Sequence, residues 1–278
     1  MTQAQHPIQI RPAVDSDYMA FARLFPELKT GDQPPGMAAW THEMVPSTLM
    51  IESGNQVVGY AFFQVLETAG YVRHLVVDSS WRGLGHGRAA MRHVSNIMRA
   101  AGCTTWCLNV EPANDPAIHL YRSLGMRERW DSTALGIKWT LVDRLPAHGA
   151  PLRARPMQAR EDTLVERAFG LPAGQLRDAR RLGTRHLIRL VREQQPDDPR
   201  VGIAVFDPSF PGAFPFRVAE PDMARALLEG IRPSAHPDFD YVRVVVEDDA
   251  SLTDLLIHEG ATVFLHVTHM EGELSGVV

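Results

Sequence analysis

Cysteine is scarce in this chain. Among 278 residues only Cys103 and Cys107 are thiols. Their spacing offers a metal half-site or one disulfide, but no second ligand pair of usable spacing accompanies them. Both read as ordinary buried thiols, and no metal is expected. Long apolar runs are also missing, and none approaches the roughly 18 residues that a membrane span needs. The opening residues MTQAQHPIQIRP lack the basic-then-apolar order of a signal peptide, so the expected location is cytoplasmic, with no membrane partner. Charge of one sign is not in excess either. A net charge of -5 gives no general pull toward nucleic acid. What remains is a composition of 45% hydrophobic and 22% charged residues, that of a soluble globular protein long enough for two domains with their own cores.

The most informative stretch is Tyr71 to Ala101. It opens with an apolar strand, Val72-Arg73-His74-Leu75-Val76-Val77, and polar punctuation follows at Asp78-Ser79-Ser80. Next comes the loop Arg82-Gly83-Leu84-Gly85-His86-Gly87, with Arg88 after it. Gly87, Ala90, Met91, Val94, Ile97, Met98 and Ala101 then recur at the i, i+3, i+4 spacing of one buried helix face. A glycine-rich turn entering a helix suits an anion, because the first amides of a helix lack partners and its dipole is positive there. Glycine also removes the side chain that would block a close approach. The spacing does not match a dinucleotide fingerprint, since Arg88 or Ala90 falls where the last glycine belongs. The Gly-Lys-Ser/Thr of an NTPase loop is absent.

Around this stretch the pattern predicts a strand at 8–11 and a helix capped by Asp15-Ser16-Asp17. A turn-rich loop at 30–36 and a short helix near 37–44 follow. Strands at 47–52 and 56–67 form a hairpin across Ser53-Gly54-Asn55. A strand at 105–110, a helix at 117–123 and two last strands, 126–131 and 134–142, complete an α/β domain over 1–145. Residues 146–151 have linker composition, and a second domain is expected over 152–278. That half restarts like the first: Arg11-Pro12 is echoed by Arg155-Pro156, while Asp17, Arg23 and Phe25 match Glu161, Arg167 and Phe169 at an offset of 144. Val110, Leu120 and Gly125 match Val245, Leu255 and Gly260 at an offset of 135. Two matching ends indicate an internal duplication.

Arg82-x-x-Gly85-x-Gly87 after an apolar strand resembles the acyl-CoA signature of the GNAT superfamily of N-acetyltransferases. The later run Val110-x-x-x-Asn114-x-x-Ala117-x-x-Leu120-Tyr121-x-x-x-Gly125-Met126 resembles a second segment of that family, in which a strand splays from its neighbour. The resemblance covers residues 8 to about 143. It implies a fold class of α/β (α+β) type, with tandem GNAT-like domains, each a mixed, mostly antiparallel twisted sheet flanked by helices. It also implies acetyl-CoA as acyl donor, with its arm along Leu75, Val76 and Val77. Its pyrophosphate would lie on the loop Gly83, Leu84, Gly85, His86, Gly87 and Arg88, with Arg82 nearby. Asn114 would contact the cofactor or hold the splayed backbone.

Amide formation from an alkyl ammonium (pKa about 10.4) requires loss of a proton, and a departing thiolate (about 8.5 for a free thiol) leaves better when protonated. By position Tyr121 matches the family tyrosine that supplies the second proton. Tyr71 stands where many relatives carry a glutamate, so the base stays open among Glu111, His74 and Glu67. His86 is expected as a surface residue that lends its backbone. His266 and His269 would point to opposite faces of a strand and are not a metal pair.

In the second half the corresponding junction, Phe216 to Met223, has no glycine and carries Glu220 and Asp222. Leu256 stands where Tyr121 does. This half resembles a degenerate copy. Arg177, Arg181, Arg185 and Arg189 form a potential basic stripe, interrupted at Gly183-Thr184. The expected function is acetyl transfer to a primary amine of a small or amino-acid-like acceptor by a monomer or homodimer. The alternatives are a non-catalytic acyl-CoA-binding regulatory module and a protein acetyltransferase.

Overall fold

The computed structural model of the chain describes residues 7–276. The first six residues, on which part of the signal-peptide reading rests, and the last two lie outside the described residues.

In the first half the order is β1 (Ile8–Pro12), α1 (Tyr18–Leu24), α2 (Met37–Ala39), β2 (Thr48–Ser53), β3 (Gln56–Val65), β4 (Ala69–Val77) and α3 (His86–Ala100), then β5 (Thr105–Val110), α4 (Asp115–Ser123), β6 (Arg127–Lys138) and α5 (Trp139–Val142). The second half runs β7 (Leu152–Pro156), α6 (Asp162–Phe169), α7 (Gln175–Arg181), β8 (His186–Arg192), β9 (Gly202–Asp207) and β10 (Gly212–Val218), then α8 (Ala224–Ile231), β11 (Tyr241–Glu247), α9 (Ala250–His258) and β12 (Thr262–Glu273).

The described residues group into two compact units, 7–129 with 269–276, and 130–268. In the first, the strand order is β1-β2-β3-β4-β5, followed by the last part of β12. Among β1 to β5, neighbours are antiparallel except for the parallel pair β4 and β5. One face carries α3, whose buried residues Ala90, Met91, Val94 and Met98 match the expected stripe. They pack with Ile51, Val58, Val72, Trp106, Leu108 and Tyr121. The other face carries a second core in which Phe21 stacks on Trp40 at 4.5 Å and meets Tyr60 edge-on at 5.2 Å. Each such ring contributes about 2 kcal/mol by leaving water.

The second unit has the order β7-β8-β9-β10-β11-β6, again antiparallel except for one parallel pair, β10 and β11. Its core joins Phe206, Phe216, Leu227, Leu228, Val242, Val244 and Leu256. The mixed, mostly antiparallel α/β class expected from the sequence is therefore present in both units.

The compact division does not follow the expected linker. Residues 146–151 are irregular, but the strands after α4 are shared out differently. Two final strands were expected at 126–131 and 134–142, whereas β6 is one strand through Lys138 and 139–142 is helical. Ser132-Thr133 lay between those two expected strands. Instead, Ser132 and Thr133 are buried and pair with Glu247 and Val246 of β11, so the sheet ladder satisfies their backbone. The basic stripe is not formed either. α7 ends at Arg181, and Arg189 is a buried β8 residue that ion-pairs with Glu161.

Candidate active site

β4 and β5 pair only from Ala69↔Thr105 to Val72↔Leu108. Beyond that point β4 continues to Val77 against β3 alone, and β5 continues to Val110. A register shift leaves Arg73 as an extra residue, since Phe62 opposes His74 while Phe63 opposes Val72. Such a bulge bends the strand and sharpens its twist, which opens the V between β4 and β5. Leu75 and Val77 lean on the α3 core and Val76 lies in the opposite core. Strand backbone on the open side suits a ligand that is itself amide-bearing and extended.

The glycine loop lies at the mouth of this V. Gly83 and Gly85 have φ of 79° and 86°, a region side chains rarely adopt, and a methyl at either would meet no atom within 4 Å. Gly85 also precedes α3 without a side-chain cap, so the first amides of a 15-residue helix face that open space. An anion of pyrophosphate type fits this donor set. Leu84 is exposed and Arg88 is half-buried beside it. Arg82 is engaged elsewhere: its Nε donates to the Val77 carbonyl at 2.9 Å and Nη2 meets Glu27 at 2.6 Å. His86 departs from expectation. Its ring is buried edge-on to Trp81 at 5.9 Å, neither nitrogen makes a hydrogen bond of ordinary geometry, and burial lowers its pKa.

Asn114 caps α4, its Oδ1 accepting from the Ala117 amide at 3.3 Å, and so holds the turn that follows β5. Tyr121, two helical turns further on, is buried in the α3 core with Trp106, Leu108 and Val110. Burial alone pushes its phenol well above the ordinary value of about 10. That group keeps its proton at any working pH.

The expected base candidates are scattered. Glu111 is exposed just past β5, and its carbonyl accepts from the Asn114 amide. Glu67 is exposed in the β3–β4 turn, at the end of β4 away from the V. His74 does face the V, but within an aromatic box. Phe25, Phe62 and Tyr60 lie 5.8, 5.4 and 6.0 Å from its ring, and Nδ1 is 3.4 Å from the Tyr60 hydroxyl. Burial, and then the charge of Arg73, lower its pKa to about 4.

Sequence reasoning missed a polar cluster at the apex of the V. Asn109 Nδ2 donates to the Tyr71 hydroxyl at 2.8 Å, and Asn109 Oδ1 lies 2.9 Å from His269 Nδ1. Arg73 stacks on the Tyr71 ring at 3.8 Å. Asn109 and His269 are 160 residues apart, and no local pattern joins them.

The second unit repeats the V without the loop. β10 and β11 pair only at Gly212↔Arg243 and Ala213↔Val244. Farther along, Arg217 reaches across to the Glu247 carboxylate at 2.8 Å. A cavity of roughly 450 Å³ there is lined by Trp130, Phe169 and Arg217 among others. His148 bonds Asp222 at 3.1 Å, and Arg192 holds Glu220 at 2.9 Å, so the carboxylates that replaced the glycines are paired.

Residues 13–126 match the family model described as the Acetyltransferase (GNAT) family. The chain is 31% identical over 134 residues to the N-alpha-acetyltransferase RimI of Mycobacterium tuberculosis, covering 46% of this chain and 83% of that one. It is 27% identical over 103 residues to the [ribosomal protein bS18]-alanine N-acetyltransferase of Salmonella typhimurium, covering 35% and 70%. Among solved structures, a GCN5-related N-acetyltransferase from Sphaerobacter thermophilus superposes with a TM-score of 0.65 at 18% identity, covering 96% of each chain. A tandem GNAT protein from the clavulanic acid biosynthesis pathway gives 0.60 at 18% identity, covering 96% of this chain and 99% of that one. Both halves thus share a fold with tandem proteins of this kind.

Proposed function

This chain belongs to the GNAT acetyltransferase family and is an acetyl-CoA-dependent N-acetyltransferase; on that premise we propose that its first unit acetylates the primary amine of an amino-acid-like acceptor, with Tyr121 as general acid. The observation that carries this reading is the V between β4 and β5 opening beside the uncapped, glycine-lined start of α3. Acetyl-CoA supplies an activated acetyl thioester. The amides of Gly83 to Arg88 would hold its pyrophosphate, and the open edge of Leu75 to Val77 would pair with its arm. Asn114 keeps the far wall of the V in place by capping α4. Tyr121 holds a proton on its phenol oxygen because burial disfavours the phenolate, and releases it to the departing sulfur. The apolar walls of Trp106, Leu108 and Val110 exclude water around that hydroxyl.

Arg73 is half-buried beside Tyr71, where its Nη2 and Nε donate to Gln64 Oε1 at 2.7 and 3.3 Å; its positive charge on this face supports an acceptor that carries a carboxylate near its amine. A second reading has a specific support: the relative at 31% identity is named an N-alpha-acetyltransferase, and the one at 27% a [ribosomal protein bS18]-alanine N-acetyltransferase. A peptide N-terminus is then the acceptor. The deciding experiment is a CoA-thiol release screen with acetyl-CoA against free amino acids, simple amines and short peptides with free N-termini. Turnover with amino acids alone favours the first reading, and turnover with peptides alone replaces it with the second.

A further inference from the structure

His269 lies in the second half of the sequence, yet it is part of the first unit. Its strand, β12, is the neighbour of β5 there. The alternation of side chains gives its direction. Trp106, Leu108 and Val110 of β5 and Met270 of β12 belong to the core under α3 and α4. Asn109 and His269 therefore point to the opposite face, together with Tyr71 and Arg73. Asn109 is also the first β5 residue past the last β4 pair, so this cluster stands at the apex of the V. Tyr121 belongs to the core on the other face. A proton donor and an imidazole thus flank the apex from its two sides. Amide formation at a thioester calls for that arrangement, since the amine approaches the carbonyl from one side and the sulfur departs on another.

The hydrogen bonds also favour one tautomer of the imidazole. With Nδ2 donating to the Tyr71 hydroxyl, Asn109 has its oxygen turned to His269 and accepts from Nδ1–H. A neutral ring held this way carries its lone pair on Nε2. The ring is only 7% exposed and sits edge-on to Tyr71 at 6.4 Å, so its direction is fixed. Charged or titratable groups at alternate positions of the same strands, on the same face, include Arg73 on β4, which stacks on Tyr71, Cys107 on β5, and Glu271 on β12, which ion-pairs with Arg129 of β6.

We propose that His269 is the general base of the transfer and that Asn109 and Tyr71 are its positioning residues. The inference rests on the acetyltransferase reading of the first unit. As the nitrogen–carbon bond to the acetyl group forms, the amine's proton passes to His269 Nε2. The carbon–sulfur bond breaks and the sulfur takes the proton of Tyr121. His269 then returns its proton to solvent, and the Tyr121 phenolate takes one back.

The test uses the full-length enzyme and His269→Gln, which keeps a donor for Asn109 and much of the ring's volume but cannot accept a proton. Expected are an unchanged dissociation constant for acetyl-CoA by calorimetry, a fall in kcat/KM of about 100-fold, and loss of the acidic limb of its pH profile. Asn109→Asp keeps the acceptor for Nδ1–H and adds negative charge, so it should retain turnover while moving that limb to higher pH. Without acetyl-CoA, nitrogen-15 NMR of labelled histidine should report a protonated Nδ1 and a pyridine-type Nε2 for His269, a preference that Asn109→Leu should abolish. Slow turnover with an intact acidic limb in His269→Gln, or an Nε2–H tautomer in the wild type, overturns the proposal. Failure of the wild type to bind acetyl-CoA would instead remove the reading beneath it.

Discussion

Arg155 grips Glu161 with two hydrogen bonds, Nη1 to Oε2 at 2.8 Å and Nη2 to Oε1 at 2.6 Å. The same fork joins Arg11 to Asp17 at 2.7 and 2.8 Å, 144 residues earlier. In each case one carboxylate oxygen also accepts the backbone amide three residues before it, from Val14 in one copy and Gln158 in the other. A shared motif of Arg-Pro and an acid six residues after the arginine is thus a working strand-to-helix clamp, and its repetition in geometry supports the duplication. The second copy adds the buried Arg189.

The clamp predicts an acid-sensitive second unit. Arg155, helped by Gln158 and Arg189, depresses the Glu161 pKa to about 2, although burial opposes it. A depressed carboxylate contributes its stability above the unfolded value near 4.5 and loses it as pH falls through the folded one. That contribution is about 3 kcal/mol. Urea unfolding followed at several pH values should show it disappear between roughly pH 5 and 2. Glu161→Gln should be less stable than the wild type at pH 7 and flatter across that window. An unchanged slope in the variant refutes the assignment.

Tyr121→Phe removes one oxygen from a buried ring that otherwise only packs. Packing is preserved, so thermal stability should stay within about 1 kcal/mol of the wild type. Loss of the proposed general acid should lower kcat by roughly 100- to 10,000-fold while the affinity for acetyl-CoA is kept. Stopped-flow release of the CoA thiol together with calorimetric titration separates the two. Normal turnover in this variant removes the acid role.

Gly85→Ala probes the anion loop. No atom lies within 4 Å of the added methyl, so there is no clash, but φ of 86° costs an L-residue about 1 kcal/mol or more. The methyl would also stand in the open space before the first α3 amides. Expected are a small drop in unfolding temperature and a larger rise in the dissociation constant for acetyl-CoA, with kcat at saturation little changed. Equal affinity in the variant would mean that the pyrophosphate is held elsewhere.

The first-unit core and loop were legible because their signals are local. The α3 stripe, the hairpin at Gly54 and the spacing of Gly83, Gly85 and Gly87 each occupy a few consecutive residues. What was not legible depends on contacts distant in sequence. Ser132-Thr133 reads as a gap between two strands until β11 supplies its pairing partners. The seat of His269 depends on β12 lying beside β5, which no periodicity within β12 encodes. His86 followed the loop's polar look, whereas its ring turns inward onto Trp81.

His74 separates the two imidazoles of the acceptor face by pH. Its ring is enclosed by Phe25, Phe62 and Tyr60, and its pKa of about 4 means that it is neutral in the folded enzyme at working pH. The unfolded chain binds a proton there near 6.5, so the folded state loses stability as pH falls from that value through 4. His74→Phe places another ring in an aromatic box and removes this titration. The variant should unfold with less pH dependence between about 4 and 6.5, as thermal melts in matched buffers would report. If His269 is the base, His74→Phe should also keep the acidic limb of kcat/KM, because a group with pKa about 4 is a weak proton acceptor at pH 7. If that limb vanishes in His74→Phe and persists in His269→Gln, the two roles are exchanged, and the base is the histidine beside Tyr60.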